Sequence, residues 1–221
     1  MKYFFNKRRA GLIILLWIVC GSYGTEKVIY RQNFETASIG SLPDGMVALD
    51  GKFSVKEEKG NRYLELQGVP LEEYAVFFGE ELDGGAEISA RIRGESTGKR
   101  TPSFCVGLYG TGGIILRVSP GRGAVELFKG KELKASAPFE WKGDGKWVWL
   151  KLRVIPVSAS RSVISGMVWY DSNKMENQPD KWQIRYEAEK PDPGKAFVIA
   201  IPYSSKPIHF DDITLIKIER E

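Results

Sequence analysis

Histidine and cysteine are nearly absent from the sequence, and this limits the chemistry available to the chain. The 221 residues include one histidine, His209, and two cysteines, Cys20 and Cys105. A single histidine cannot build a His-rich zinc site, and no nucleophile is identified beside His209 and Asp211, so triad chemistry is not indicated. Cys105 is the only cysteine after residue 24, so no disulfide can form within residues 25–221. Cys105 is therefore predicted to be a small, buried hydrophobic residue.

Excess positive charge is also missing once the first 24 residues are set aside. The chain has 32 Lys and Arg against 28 Asp and Glu, and residues 1–24 hold four of the basic residues and none of the acidic ones. The remainder therefore has 28 residues of each sign. A nucleic-acid or anionic-membrane partner, which a basic domain would suggest, is not expected.

Residues 1–24 have the pattern of a secretory signal peptide. A basic segment precedes an apolar run from Ala10 to Cys20, and small residues follow at Ser22 and Gly24. This run is too short to span a bilayer comfortably, and no later stretch is apolar for long enough. The sequence therefore predicts an exported protein without a membrane span, either secreted or periplasmic.

The end of this leader defines the domain that is expected to fold. Cleavage after Gly24 would leave residues 25–221, which no Ser- or Pro-rich linker divides, so one domain is predicted, with a polar surface loop at 172–180. A lipid anchor at Cys20 is disfavoured, because Trp17 and Val19 lie where lipoprotein signals usually carry an aliphatic and a small residue.

Helical spacing is absent from residues 25–221, whereas alternation of apolar residues recurs. Clusters of Gly, Pro, Asn and Asp interrupt the alternating runs and favour turns. Thirteen strands are predicted, at 27–34, 52–55, 62–66, 74–79, 86–93, 103–109, 113–118, 124–129, 147–155, 162–170, 182–187, 196–201 and 208–218. Short strands without helices predict an all-β fold, an antiparallel two-sheet β-sandwich.

One predicted strand concentrates aromatic and basic residues on one face. In GDGKWVWLKLRV, residues 143–154, alternation directs the side chains of Trp147, Trp149 and Arg153 to one side. Arginines of the strands 86–93 and 113–118 would extend this face if all three strands share a sheet. Indole rings stack on sugar rings, and guanidinium groups bind hydroxyls or carboxylates. The predicted ligand-binding residues are Arg91, Arg93, Arg117, Trp147, Trp149 and Arg153.

Two other interpretations of these residues stay open. In the first, the tryptophans close an edge of the core, because aromatic residues are common in strands for packing reasons. Glycosidase chemistry needs two carboxylates about 5 to 10 Å apart. Glu65, Glu87 and Glu126 lie on different strands and would supply them if they converged, but no spacing identifies a catalytic pair and no catalytic residue is predicted.

A series of short motifs runs through the chain: NFE (33–35), GSLPDGM (40–46), ARIRG (90–94), VGLYGTGGIILRVSPGRGAVEL (106–127) and PIHFDDITLI (207–216). Together they resemble the concanavalin A-like lectin/glucanase superfamily, most of all its exported bacterial members. The chain is also distantly similar to 3-keto-disaccharide hydrolase-like domains and jelly-roll carbohydrate-binding modules. The resemblance implies a jelly roll that binds a polysaccharide or oligosaccharide without catalysis. The alternatives are a glycoside hydrolase or 3-keto-disaccharide hydrolase-like enzyme, and an interaction module without a sugar ligand.

The same resemblance implies a structural calcium ion. In similar modules a Phe-Glu pair near the N-terminus and an Asp-Asp-aliphatic sequence near the C-terminus lie side by side and often hold calcium. Calcium takes six to eight oxygen ligands, which carboxylates and nearby carbonyls supply. The implied ligands here are Glu35, Asp211 and Asp212.

Overall fold

The computed structural model describes residues 25–68, 72–171 and 178–219. The predicted signal peptide, with Cys20, lies outside the described residues, as does most of the predicted loop at 172–180. Within the described ranges no helix is long and apolar enough to cross a membrane.

The described residues form fifteen strands and one short 3₁₀ turn at Pro120–Arg122. The strands are β1 (Thr25–Gln32), β2 (Met46–Ala48), β3 (Phe53–Glu58), β4 (Asn61–Leu66), β5 (Tyr74–Leu82), β6 (Gly85–Arg93), β7 (Ser103–Leu108), β8 (Ile114–Ser119), β9 (Ala124–Lys129), β10 (Glu132–Pro138), β11 (Val148–Pro156), β12 (Arg161–Tyr170), β13 (Ile184–Glu189), β14 (Gly194–Ile201) and β15 (Ile208–Glu219). All thirteen predicted strands are confirmed. The prediction missed β2, which has only three residues, and β10, whose sequence ELKASAP alternates weakly.

The strands form two antiparallel sheets. The large sheet has the order β13-β12-β11-β6-β15-β4-β3, with β1 also paired to β15. The small sheet has the order β10-β9-β8-β7-β14-β5-β2. The predicted two-sheet sandwich is therefore confirmed.

The core lies between the sheets and is built by alternation along each strand. In β6, Ile88, Ala90 and Ile92 are fully buried in the core, so Ser89 and Arg91, which alternate with them, face outward. The outer face of the small sheet carries a separate apolar cluster that includes Cys105, which is 1 % exposed as predicted for a small hydrophobic residue. Burial also raises the pKa of the Cys105 thiol to about 12.

The last strand, β15, pairs with the first strand, β1, and so holds the two ends of the described chain together. Its first residues pair with β4 and its later residues pair with β1, where Gln32 lies opposite Ile213. The pairing of the first and last strands, implied by the resemblance, is thus confirmed. A bulge interrupts the pairing of β15 with β6 between Asp211 and Thr214, and Asp212 takes a left-handed conformation with φ of 48°. The extra residue brings two consecutive carboxylates close to one neighbour, which regular alternation would not allow.

Candidate functional site

A half-buried indole, that of Trp147, lies on the outer face of the large sheet. Arg91 and Arg93 are two residues apart in β6, so both side chains point to this face. Their Cζ atoms lie over the indole ring, 4.8 Å and 4.9 Å from its centroid. The ring of Tyr63 meets the same indole edge-on, with 6.2 Å between centroids. We call Arg91, Trp147 and Arg93 the Trp147 ridge.

Arg91 also lines a cleft of about 550 Å³, which we call the Ser89 cleft. Ser89 is 4 % exposed. Glu87 is 2 % exposed, and its carboxylate lies 3.2 Å from Lys151 Nζ and accepts a 2.5 Å hydrogen bond from Arg153 Nε. The charged groups that line the cleft are three cations and three anions: Arg31, Arg91, Lys151, Glu87, Asp171 and Asp212. The cleft therefore has no formal net charge.

Arg91 holds three carboxylates together at the boundary of this cleft. Its guanidinium lies 2.5 Å from Asp211, 3.1 Å from Asp212 and 3.3 Å from Asp171. Asn61 donates a 2.9 Å hydrogen bond to Asp211. Burial acts to lower the pKa of Arg91, but the Asp211 and Asp212 carboxylates outweigh it and raise that pKa. Burial raises the pKa of Asp211 despite the hydrogen bond from Asn61 and the charge of Arg91.

One wall of the Ser89 cleft is Trp149, which belongs to a cluster with Trp169 and Met167, flanked by Trp182. The rings of Trp149 and Trp169 stack with 6.0 Å between centroids and 13° between planes. Both Nε1 groups are buried without a hydrogen-bond partner in the described part of the chain. Trp149 is 5 % exposed, so it presents no open ring face to the cleft, and its Nε1–H is a buried donor.

Arg93 lines a second cleft of about 320 Å³, which we call the His209 cleft. His209 Nδ1 accepts a 2.8 Å hydrogen bond from Arg93 Nε, and Nε2 lies 3.0 Å from a carboxylate oxygen of Glu65. Because Nδ1 is an acceptor, the proton is on Nε2 and is donated to Glu65. Burial, and after it the charge of Arg93, lowers the pKa of His209. The imidazole is therefore a neutral group with both nitrogens occupied, which does not suit a general base.

The structure brings most of the predicted ligand-binding residues to one face. Arg91, Arg93, Trp147, Trp149 and Arg153 all lie on the outer face of the large sheet, where β11 pairs with β6. The two tryptophans differ in their surroundings. Trp149 is buried in a separate cluster on this outer face, which favours a packing role for its ring, whereas Trp147 is half-buried and packs against the arginines.

Arg117 does not belong to this face, and its predicted grouping is wrong. It lies on β8 in the small sheet, where it pairs with Glu73 at 3.2 Å and covers the ring of Phe128. Glu126 likewise lies in the small sheet, on β9, so it cannot converge with Glu65 and Glu87. Alternation correctly assigned Arg117 to an outer face, but strand pairing across the chain decides which sheet that face belongs to.

Sequence reasoning missed the two clefts. Ser89 lies between Glu87 and Arg91 on the outward side of β6, so the alternation that identified Arg91 also indicates Ser89. Tyr63 and Glu65 carry the same alternating signal in β4. The pairing of β15 with both β4 and β6 cannot be predicted from the sequence, and it is this pairing that brings His209 beside Glu65 and Arg93.

The implied calcium ligands do not fit a metal site as they are arranged. Glu35 accepts a hydrogen bond from the backbone N–H of Arg62, while Asp211 and Asp212 face Arg91. Among the described residues no group of three or more His, Cys, Asp or Glu side chains is placed to hold a metal ion. The guanidinium of Arg91 is the cation that these aspartates contact.

No family model and no curated protein matches the chain. Solved structures do match it. The carbohydrate-binding module CBM66 from Bacillus subtilis is 12 % identical with a TM-score of 0.52, covering 77 % of this chain and 94 % of its own. The Emp47p carbohydrate recognition domain is 10 % identical with a TM-score of 0.55, covering 86 % and 95 %.

The chain has a jelly-roll β-sandwich fold. The predicted fold class is thereby confirmed, and identities this low show the fold alone. Among jelly-roll neighbours, the VIP36 lumenal domain in its Ca²⁺/Man3GlcNAc-bound form is 9 % identical with a TM-score of 0.51, covering 80 % of this chain and 84 % of its own. The Emp46p domain is known in a metal-free form and a potassium-bound form.

Proposed function

We propose that this chain is an exported, non-catalytic domain that binds an uncharged glycan in the Ser89 cleft. The carrying observation is the unpartnered Nε1–H of Trp149, buried in the wall of a polar cleft. A buried donor without an acceptor costs free energy, and a ligand oxygen that accepts its hydrogen bond removes that cost. The carbohydrate-binding names of the jelly-roll neighbours support the same ligand class.

The charge distribution favours an uncharged sugar over an acidic one. Arg91 is neutralised by three aspartates, and Lys151 by the buried Glu87. A ligand carboxylate would have to compete with these internal partners, whereas hydroxyl groups can both donate to the carboxylates and accept from the cations. Ser89 adds a hydroxyl of the same kind.

The enzyme alternative has less support from the side chains at this face. A retaining or inverting glycosidase needs one carboxyl group as acid and a second as nucleophile or base. Here Glu87 is held by Lys151 and Arg153, and Glu65 by His209. These pairings suit a binding surface, which needs fixed donors and acceptors.

Calcium stays a prediction from the resemblance. The Ca²⁺-bound VIP36 structure shows that a protein of this fold is known with the ion. In this chain the implied ligands contact protein donors, so the glycan site proposed here uses Arg91 and the aspartates as they are paired, and no step depends on the metal.

The unused indole N–H provides a specific test. Trp149→Phe removes the donor and keeps most of the packing, so binding to neutral polysaccharides should weaken by about three- to tenfold with little change in melting temperature. Residues 25–221 would first be screened on an array of neutral and acidic glycans, and the strongest hit would then be titrated by calorimetry.

Trp169→Phe is the matched control. It makes the same change in the stacked partner ring, whose N–H is also unpartnered but which is not part of the cleft lining. Its affinity should equal that of the parent. Equal losses in both variants would assign the effect to packing, and an array without any carbohydrate hit would overturn the proposed function.

A further inference from the structure

We infer that the ligand is an extended oligosaccharide whose chain occupies both the Ser89 cleft and the His209 cleft. This inference rests on the proposed function and specifies the size of its ligand. A single sugar unit would fill one cleft, whereas an extended chain would cross the Trp147 ridge and contact the other.

The two clefts lie along the same pair of strands. β6 contributes Ser89 and Arg91 to one cleft and Arg93 to the other, and β15 contributes Thr214 to the first and His209 to the second. Ser89 and Arg93 are four positions apart along β6, which is about 13 Å at the usual rise per residue. This separation exceeds one sugar ring, so one ligand reaches both clefts only as a chain.

The ridge between the clefts is fixed in place by its own contacts. Arg91 reaches the aspartates of the Ser89 cleft, and Arg93 reaches Glu58 at 2.6 Å in the His209 cleft. Both guanidinium groups also lie over the ring of Trp147. Each arginine therefore lines one cleft, and the indole between the two arginines keeps them at a fixed distance. A sugar chain can then contact both clefts without the cost of ordering a loop.

The His209 cleft has two exposed charged groups without an ion-pair partner in the described part of the chain. Glu95 and Lys206 line it, both are exposed, and neither forms an ion pair within the described ranges. The groups beneath them, Glu65 and His209, are paired with each other. A carboxylate and an ammonium group of opposite sign suit the hydroxyls of an uncharged sugar, since one accepts and the other donates.

The length dependence of binding tests this inference. Calorimetry would use linear neutral oligosaccharides, from the monosaccharide to the hexasaccharide, of the polysaccharide that binds best. Affinity should rise by about tenfold or more as the chain becomes long enough to enter the second cleft, and then level off. Equal affinity for all lengths would overturn the inference, while binding at any length would keep the proposed function.

A double variant locates the gain. Glu95→Ala with Lys206→Ala removes these two exposed groups from the His209 cleft, so it should keep the affinity for the shortest binding sugar and lose most of the rise with length. The control is Glu72→Ala with Lys131→Ala, an equal change at exposed positions beside small-sheet strands, which should leave the rise unchanged. A double variant with the full rise would also overturn the inference.

Discussion

The imidazole of His209 is held in one neutral tautomer by Arg93 on one side and Glu65 on the other. Its only sequence signal was its nearness to Asp211, which suggested a base with an orienting carboxylate. The structure gives that role to neither residue, because Asp211 pairs with Arg91 while His209 reaches back to β4. Residue spacing in one strand could not predict a partner that is 144 positions away.

This environment predicts how stability depends on pH. Because the pKa of His209 is lowered in the folded state, the unfolded chain binds a proton below about pH 6.5 that the folded chain does not yet bind. Stability should therefore fall as pH decreases from about 6.5 to the folded pKa, by up to about 1.4 kcal/mol per pH unit. Urea unfolding between about pH 7.5 and 5.5 would measure this slope.

His209→Gln is the comparison for that slope, since glutamine can accept from Arg93 and donate to Glu65 but does not titrate. His209 is the only histidine in the chain, so the variant should have a flatter profile in this window. Parallel profiles for the two proteins would show that His209 does not carry the dependence.

The bulge in β15 is a feature of an element that alternation alone cannot predict. Strict alternation places Asp211 and Asp212 on opposite faces, yet the left-handed residue lets both contact Arg91. The strands themselves were predictable, because apolar alternation and turn residues are local signals. The bulge was not, because it depends on how β15 pairs with β1, β4 and β6 at once.

The small sheet contains a close approach of an aromatic ring to a glycine. Gly107 in β7 lies opposite Phe197 in β14, and a Cβ at Gly107 would be 2.1 Å from the Phe197 ring. Phe197 is fully buried, so its ring has little room to move. Gly107→Ala should therefore lower the free energy of unfolding by about 1 to 3 kcal/mol in denaturant titrations.

Gly121→Ala is the control for this substitution. It lies in the 3₁₀ turn, and nothing is within 4 Å of the Cβ position. Its stability should stay close to that of the parent. A Gly107→Ala protein as stable as this control would mean that Phe197 repacks freely, and the rigid aromatic contact would be ruled out.

At the scale of the whole molecule, the sandwich was predictable and its sheet membership was not. Arg117 and Arg91 have the same local pattern of alternation, but β8 and β6 belong to different sheets. Which strands pair depends on long-range contacts, so five of the six predicted ligand-binding residues share a face and Arg117 does not. Trp149 shows the same limit, since its burial depends on Trp169 and Trp182 from other segments.

Arg91 connects more of the molecule than any local pattern indicates. From β6 it contacts β15 through Asp211, β4 through Asn61 and the end of β12 through Asp171. The Asp211 side chain is 1 % exposed, so its charge depends on these partners. The guanidinium therefore supplies at this junction the positive charge that the sequence resemblance attributes to calcium.

Arg91→Met tests this assignment together with the calcium prediction. Removing one partner of a buried ion pair costs about 3 to 5 kcal/mol, so the variant should melt roughly 10 °C lower. Arg117→Met, which breaks a pair with the exposed Glu73, should change the melting temperature little. The parent should melt at the same temperature with calcium and with chelator. A parent stabilised by calcium would support the metal prediction, and an Arg91→Met protein as stable as Arg117→Met would show that the junction does not depend on the guanidinium.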